Sequence, residues 1–202
     1  HERDYAALLA EAAGEWTLRV VVRADAAPGH PTLADLSQRR PATPTEYLHR
    51  TRFTLFERAQ IATTSGSTGT PKCAEVPAYA RALTGWSHAQ RFGVRAVDTL
   101  AAFTPLIAGT AEALVYHMAP RLGCRVVLLE HFAPSAACEV LVREQVAGAT
   151  VVPTMLARLA QQPVHSSQFP YLRFFVSHGA LLAAEHARRV EERFGVRIVQ
   201  AY

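Results

Sequence analysis

The sequence is poor in lysine, in cysteine and in long hydrophobic runs, and these shortages restrict what the chain can do. Of its 21 basic side chains only one, Lys72, is a lysine. The net charge is +4, but the arginines are scattered and no aromatic residues are interleaved with them. Because the sequence has neither a continuous basic stripe nor a recognisable nucleic-acid-binding motif, we expect no nucleic-acid partner.

Cysteine occurs three times, at Cys73, Cys124 and Cys138, without a CxxC motif or a Cys/His arrangement at metal-ligand spacing. This usage predicts a reducing, cytoplasmic compartment and no metal centre built by the chain itself. The longest weakly charged run, residues 99–120, is interrupted by proline, glycine and ionisable residues, so no membrane span is predicted.

The two ends of the chain are abrupt. It begins on His1 without a signal-like apolar segment and ends on Tyr202 directly after a strand-like run. We therefore expect the sequence to be a piece of a longer protein.

From Asp98 onward, short apolar runs alternate with segments of helical periodicity. Strands buried on both faces and separated by helices of about ten to fifteen residues predict parallel βαβ units. The fold class is therefore α/β, with a parallel sheet flanked by helices. The predicted strands are residues 99–106, 124–130, 149–154, 172–178 and 196–202, and the predicted helices are 111–122, 134–146, 155–161 and 181–194.

The first half of the chain is less regular. We predict a strand at 17–23, mostly loop over 31–57 with a short helix near 44–49, a strand at 59–64 and a helix at 78–92 that ends at Gly93. Two α/β pieces are expected, residues 1–92 and 93–202, with the second incomplete at its C-terminal end.

The stretch Thr63–Val76, TTSGSTGTPKCAEV, has the composition of a phosphate cradle. Consecutive Ser, Thr and Gly residues can point amides and hydroxyls into one concavity, and Gly66 and Gly69 allow the backbone to approach a ligand closely. The only lysine of the chain, Lys72, adds a compact positive charge. The Walker order is excluded, because that motif places Lys directly after Gly.

The stretch resembles the signature loop TSG[ST]TGxPK of the adenylate-forming enzymes, the superfamily of acyl-CoA synthetases, peptide-synthetase adenylation domains and firefly luciferase. Further on, SHGALL at 177–182 resembles the family's GGAPL turn, and VQAY at 199–202 resembles the run into its aromatic-Gly-x-Thr-Glu motif. The resemblance covers nearly all of the chain but well under half of a full-length member. Every specified place of the loop is filled, by Thr64, Ser65, Gly66, Ser67, Thr68, Gly69, Pro71 and Lys72.

Members of that family use ATP with Mg to activate a carboxylic acid as an acyl-adenylate, and then pass the acyl group to a thiol, usually of coenzyme A or a carrier protein. The resemblance implies that residues 64–69 and Lys72 hold the β- and γ-phosphates, with Thr68 and Lys72 acting in catalysis. It also implies that Gly179, Ala180 and Leu181 pack beside adenine or the acyl group, that Gln200 contacts the polar edge of adenine and that Tyr202 stacks on the base.

Several residues depart from the family pattern, among them Thr63, where an aromatic is common, and Pro77 with Ala78, which replace a frequent Ser/Thr-His pair. Cys73 stands where Gly usually follows the Lys, and Ala108 stands where many members carry a His that lines the path of the acyl group and thiol. His178 replaces the first Gly of the GGA turn. Because His is bulkier, we expect it to shorten or reshape the acyl pocket.

An amino-acid substrate is disfavoured, because the only acid near the place where adenylation domains carry an Asp is Glu112, beyond the expected position. A fatty, alicyclic or aryl acid is favoured, with coenzyme A as acceptor. Three alternatives stay open: an adenylation domain that loads a carrier protein, a non-catalytic nucleotide-binding or interaction module that retains the fold, and a phosphate-binding scaffold outside this family.

Two further patterns were weighed for chemistry. Ser177 and His178 are neighbours on a predicted strand, so their side chains should point to opposite faces and not form a nucleophile–base pair. Cys73 beside Lys72 is either an activated thiol or a small residue that fills space near the loop, and the second interpretation is favoured.

Overall fold

The computed structural model describes Ala7, Glu11 and residues 31–38, 54–64, 69–107 and 109–201, without the side chain of residue 110. The chain divides into two compact units, residues 1–53 and 54–202. The predicted boundary between residues 92 and 93 stays a prediction, and the predicted strand at 17–23 and helix near 44–49 lie outside the described residues.

In the first unit, helix α1 spans Leu33–Gln38 within a stretch that was predicted to be mostly loop. The backbone N–H of Asp35 donates to Thr32 Oγ1 at 3.1 Å, and the Asp35 carboxylate accepts from the Thr32 N–H at 2.8 Å. Such reciprocal capping starts a helix where apolar periodicity is weak, which is why periodicity missed it.

In the second unit, β1 (Arg58–Thr63) and β2 (Cys73–Pro77) form a two-stranded antiparallel sheet. Strand β1 was predicted, but β2 was not, because its first residues are exposed and carry no apolar alternation. Helix α2 (Ala78–Phe92) follows β2 directly and ends at Gly93, as predicted.

The other described strands form one five-stranded parallel sheet in the order β4-β3-β5-β6-β7. This arrangement confirms the predicted α/β class with a parallel sheet. The strands are β3 (Thr99–Ala102), β4 (Arg125–Leu128), β5 (Val146–Val151), β6 (Phe174–Ser177) and β7 (Arg197–Gln200).

The connecting helices lie near their predicted positions, with two differences. The predicted helix at 111–122 is three consecutive pieces: α3 (Gly109–Glu112), a π-helical segment (Ala113–Met118) and α4 (Ala119–Leu122). The helix predicted to reach 146 ends at 143, because Gln145 has a φ of 52° and Val146 enters β5. The remaining elements are α5 (Pro134–Arg143), α6 (Pro153–Leu159), a 3₁₀ turn (Ser166–Gln168) and α7 (Ala184–Phe194).

Helices cover both faces of the sheet. On one face α5, α6 and α7 pack around Phe175, and on the other α2 and the π-helical segment pack around Leu100 and Phe174. Strand β3 lies between β4 and β5. The chain adds β4 on one side of β3, and then adds β5, β6 and β7 in order on the other side. Ligands of such sheets bind beyond the carboxyl ends of the strands. No helix in the described ranges is both long and apolar enough to cross a membrane.

A close contact between Gly148 of β5 and Phe174 of β6 gives a prediction for stability. A Cβ at position 148 would stand 2.1 Å from Phe174 Cζ. The Phe174 ring is buried and stacks on Phe92 with ring centroids 5.1 Å apart, so it has little room to move. We expect Gly148→Ala to lower the free energy of unfolding by about 2 kcal/mol in urea denaturation.

The matched control is Gly109→Ala, because no atom lies within 4 Å of a Cβ built at that position. Its free energy of unfolding should change by less than about 1 kcal/mol. Equal stability of Gly148→Ala and the parent protein would contradict the contact.

Candidate functional site

The predicted phosphate loop is anchored on the β1–β2 hairpin. The backbone N–H of Thr64 donates to the Lys72 carbonyl at 3.0 Å, and the N–H of Lys72 donates to Thr64 Oγ1 at 3.0 Å. The strand register, in which Thr63 faces Cys73, therefore continues by one residue pair. This pairing fixes the two ends of the loop. Lys72 is exposed at the end of the loop that joins β2, which we term the mouth of the loop.

Gly69 has the most unusual described backbone conformation of the loop. Its φ is 151°, which L side chains rarely adopt. Among the described residues other than its chain neighbours, no atom lies within 4 Å of a Cβ built there, so the backbone conformation is what requires glycine. The intervening residues Ser65, Gly66, Ser67 and Thr68 lie outside the described residues, and their phosphate contacts stay predictions.

A cleft of about 350 Å³ lies at the carboxyl ends of β6 and β7. The two strands are neighbours and parallel, so the segments that follow them meet at one edge of the sheet. The cleft brings together five residues that the sequence placed in the site. It is lined by His178, Gly179, Ala180, Leu181, Gln200 and Ala201.

Gln200 links the end of β7 to the turn after β6. Its Nε2 donates to the Ala180 carbonyl at 3.2 Å, and its Oε1 accepts from the Leu182 N–H at 3.4 Å. The side-chain amide thus holds the turn as well as lining the cleft. One amide hydrogen remains available, and the predicted contact with adenine stays a prediction.

The turn itself depends on Gly179, which has a φ of 87° that disfavours any other residue. Leu181 is 87% exposed at the rim of the cleft, and its packing beside adenine or the acyl group stays a prediction. Two other predicted site residues, Ala108 and Tyr202, lie outside the described residues.

His178 is half-buried against helix α2, and sequence analysis did not foresee its partner. Its ring centroid lies 6.4 Å from that of His88, which in turn stacks on Phe92 at 5.4 Å. Burial lowers the pKa of His178, and the nearby His88 lowers it further. Burial also lowers the pKa of His88. Both rings are therefore neutral at pH 7.

The Nε2 atom of His178 is buried and has no hydrogen-bond partner among the described residues. A buried polar atom without a partner costs free energy.

Ser177 and His178 do not form a nucleophile–base pair, which confirms the prediction. Side chains alternate along β6, so Ser177 points to the same face of the sheet as Phe175. His178 points to the other face, with Phe174, and lies against α2. Ser177 Oγ is buried and, within the part of the chain that the structure describes, has no hydrogen-bond partner.

The three thiols differ in environment. Cys73 is exposed on β2, so its interpretation as a space-filling residue is wrong. Burial, and secondarily Glu139, raises the pKa of Cys138 to about 11, and burial raises the pKa of Cys124, so these two thiols stay protonated at neutral pH. No group of three or more His, Cys, Asp or Glu side chains in the described ranges could hold a metal.

A polar cluster around Glu112 was not predicted. Gln60 Nε2 donates to Glu112 Oε2 at 3.2 Å, and His117 Nε2 lies 3.4 Å from Oε1. Arg81 Nε donates to Gln60 Oε1 at 2.7 Å and lies 3.3 Å from Glu112 Oε1. We term Gln60, Arg81, Glu112 and His117 the Glu112 cluster. Gln60, Arg81 and Glu112 are far apart in the sequence, so no local pattern could have revealed the cluster.

A second unpredicted ion pair lies at the amino ends of the strands, opposite the cleft. Arg173, before β6, donates through Nη1 and Nη2 to Asp98, before β3, at 3.1 and 2.6 Å. The Arg95 N–H also donates to Asp98, at 2.7 Å. Burial raises the pKa of Asp98, but these hydrogen bonds outweigh it, and the pKa is lowered overall. The pair is structural.

Solved structures with the same fold include enzymes bound to nucleotide. ATP-bound MatB from Rhodopseudomonas palustris matches 73% of this chain and 29% of its own length, with a TM-score of 0.68 and 21% identity. O-succinylbenzoate coenzyme A synthetase (MenE) from Bacillus subtilis, in complex with ATP and magnesium, matches 72% of this chain and 30% of its own length, with a TM-score of 0.65 and 22% identity.

A third structure, the luciferase-like enzyme from the nonluminescent mealworm Zophobas morio, matches 98% of this chain and 46% of its own length, with a TM-score of 0.75 and 13% identity. The chain thus spans less than half of the length of each of these proteins. At such identities the matches show a shared fold. Among curated proteins no match was found.

The family comparison covers almost the whole chain. The model of the AMP-binding enzymes matches residues 4–202, which include the phosphate loop on the β1–β2 hairpin and the cleft at the ends of β6 and β7. The resemblance drawn from the loop is thereby confirmed, and the chain belongs to the AMP-binding enzyme family.

Proposed function

We propose that this chain is part of an AMP-forming acid–thiol ligase of the acyl-CoA synthetase type, which activates a carboxylic acid as an acyl-adenylate and transfers it to coenzyme A. The family match over residues 4–202 carries the proposal. The cleft that gathers His178 to Leu181 with Gln200 supports it. Because the chain spans under half of the structures it matches, the activity is proposed for the full-length protein.

The described part of the loop fits a polyphosphate. Lys72 supplies a positive charge at the mouth, and Gly69 allows the backbone to come close to a phosphate oxygen. Thr64 Oγ1 already accepts from the Lys72 N–H, so its hydroxyl hydrogen is free to donate to a phosphate. ATP supplies the α-phosphate that the acid attacks. Since no metal cluster exists among the described residues, we propose that Mg is held mainly by the phosphates of ATP.

The acid is proposed to be fatty, alicyclic or aryl. A substrate ammonium would need a free carboxylate, and the candidate, Glu112, is already engaged by Arg81, Gln60 and His117. The cleft of about 350 Å³ is at the small end of ligand pockets. His178 limits it on the side of α2, which favours a compact acid.

The test is acid-dependent exchange of pyrophosphate into ATP by the full-length protein, with a panel of fatty, alicyclic, aryl and amino acids. We expect exchange with at least one member of the first three groups, and thioester formation when coenzyme A is added. Thioester formation only on a carrier protein would overturn the choice of acceptor. ATP binding without exchange for any acid would favour the non-catalytic module.

Enlarging the cleft should change the preferred acid. We expect His178→Gly to raise kcat/KM for longer or bulkier acids relative to compact ones by about 10-fold, because pocket discrimination of one or two methylenes has this magnitude. The measurement is the exchange rate across a series of acids of increasing length. The control is His186→Ala, an exposed histidine on α7, which should leave the series unchanged. An unaltered series in His178→Gly would show that His178 does not limit the acyl site.

A further inference from the structure

The Glu112 cluster joins three segments that adjoin predicted site residues in the sequence. Gln60 lies on β1, four residues before Thr64 where the phosphate loop begins. Arg81 lies in the first turn of α2, which continues directly from β2 and Lys72. Glu112 ends α3, four residues after position 108, which the family resemblance assigns to the acyl path. The Glu112 carboxylate therefore connects β1 and α2, which flank the phosphate loop, to α3.

The cluster is built to hold a fixed geometry. The side chains of Arg81, Glu112 and His117 are only 19, 14 and 24% exposed. By contrast, the Arg58–Glu75 pair on the same hairpin is 65 and 61% exposed. Partly buried ion pairs are screened less than exposed ones, and removal of one partner is correspondingly more disruptive.

The π-helical segment is part of this arrangement. Glu112 and His117 are five residues apart, a spacing that points to different sides of an α-helix but to the same side of a helix with i→i+5 hydrogen bonds. On the adjacent turn, helix α2 touches the backbone of this segment: a Cβ at Gly85 would lie 2.7 Å from the His117 carbonyl carbon. The irregular helix thus brings His117 to Glu112 while it packs against α2.

We propose that Glu112 and Arg81 are positioning residues that align β1 and α2, which flank the phosphate loop, with α3, which follows position 108 of the expected acyl path. The inference rests on the proposed function, because attack of a carboxylate on a phosphate requires both ligands in one geometry. A displacement of about 1 Å in such a site can cost roughly 10²-fold in rate. When the cluster is disrupted, ATP and the acid can each still bind to their own residues. The reaction between the two bound ligands should therefore be slowed more than the binding of either one.

The experiment compares Glu112→Gln with the parent protein at full length. We expect kcat of acid-dependent pyrophosphate exchange to fall by about 10-fold, while the Kd of ATP and the Kd of the acid, measured separately, stay within about two-fold. Arg81→Lys keeps the charge but not the geometry of the guanidinium, and it should show the same pattern. Glu75→Gln, from the exposed pair on the same hairpin, is the control and should leave kcat unchanged.

The outcomes separate this inference from the proposed function. If the parent protein shows no exchange with any acid, the proposed function fails. If the parent protein is active and both variants keep its kcat, the inference fails, even when their unfolding midpoints fall. Parallel losses of kcat and of ATP affinity would also overturn it, because they would place the cluster in binding itself.

Discussion

Replacement of Lys72 by alanine should reduce kcat of acid-dependent pyrophosphate exchange by about 10²- to 10³-fold, the usual effect of removing one preorganised group that stabilises charge in a transition state. Lys72 is the only lysine of the chain, and the hairpin fixes its backbone opposite Thr64 at the mouth of the loop. The measurement is the initial rate of exchange at saturating ATP and acid in the full-length protein.

Two further variants make this prediction specific. Thr70→Ala changes the one unspecified residue of the loop motif, two positions before Lys72, and it should keep kcat within about three-fold. Lys72→Arg keeps the charge but spreads it over a planar group, and it should recover only part of the activity. Full activity of Lys72→Ala would mean that the loop does not hold the phosphates.

Replacement of Asp98 by alanine should lower the free energy of unfolding by about 3 kcal/mol, because it removes the buried partner of an ion pair. Asp98 is 5% exposed, whereas the Arg173 side chain is 35% exposed and can recover some hydration, so we expect the lower end of the range for buried pairs. Urea denaturation at pH 7 gives the value. The exposed Glu185, paired with Arg189 on α7, provides the control Glu185→Ala, which should have little effect.

The effect of Asp98 should also depend on pH. Its pKa is lower in the folded protein than in the unfolded chain, so the folded state binds fewer protons and gains stability above the ordinary Asp pKa of about 3.9. This contribution should be lost as the pH falls through the folded-state pKa. The difference between the parent protein and Asp98→Ala should therefore shrink below pH ~4. A constant difference across pH 3–7 would show that the carboxylate charge is not what stabilises the pair.

The sequence predicted the elements whose signals are local. Strand β6 follows from the apolar run at 172–178, and helix α2 follows from its periodicity and its terminal glycine. In a parallel sheet, the turn after β6 and the end of β7 lie at the same edge, where ligands bind. The cleft lined by Gly179 and Gln200 lies at that edge.

Features that depend on distant partners could not be predicted in this way. Strand β2 is largely exposed and is specified by its pairing with β1. The π-helical segment depends on packing against Gly85 and on the contact between Glu112 and His117. Secondary-structure propensity and hydrophobic periodicity describe only residues that are close in the sequence. The partners named above are brought together by tertiary folding, so neither signal reports them.

The same limit applied to individual site residues. His178 was recognised as a departure from a glycine turn, but its contact with His88, ninety positions earlier, came only from the packing of α2 on β6. Cys73 was expected to fill space, yet its side chain is exposed at the loop end of the two-stranded hairpin. Side-chain burial depends on the tertiary neighbours, so it was the least predictable property of the site.

The contact between Gly148 and Phe174 has a consequence for how this family can vary. The phenyl ring occupies the space that a side chain at 148 would need, so the two positions together hold one ring and not two side chains. We expect a larger residue at 148 to be accommodated best in a chain that has already replaced the aromatic residue at 174 by a smaller one. In an alignment of homologues, these two columns of adjacent strands should therefore co-vary, and the order of substitution should be the loss of the ring first.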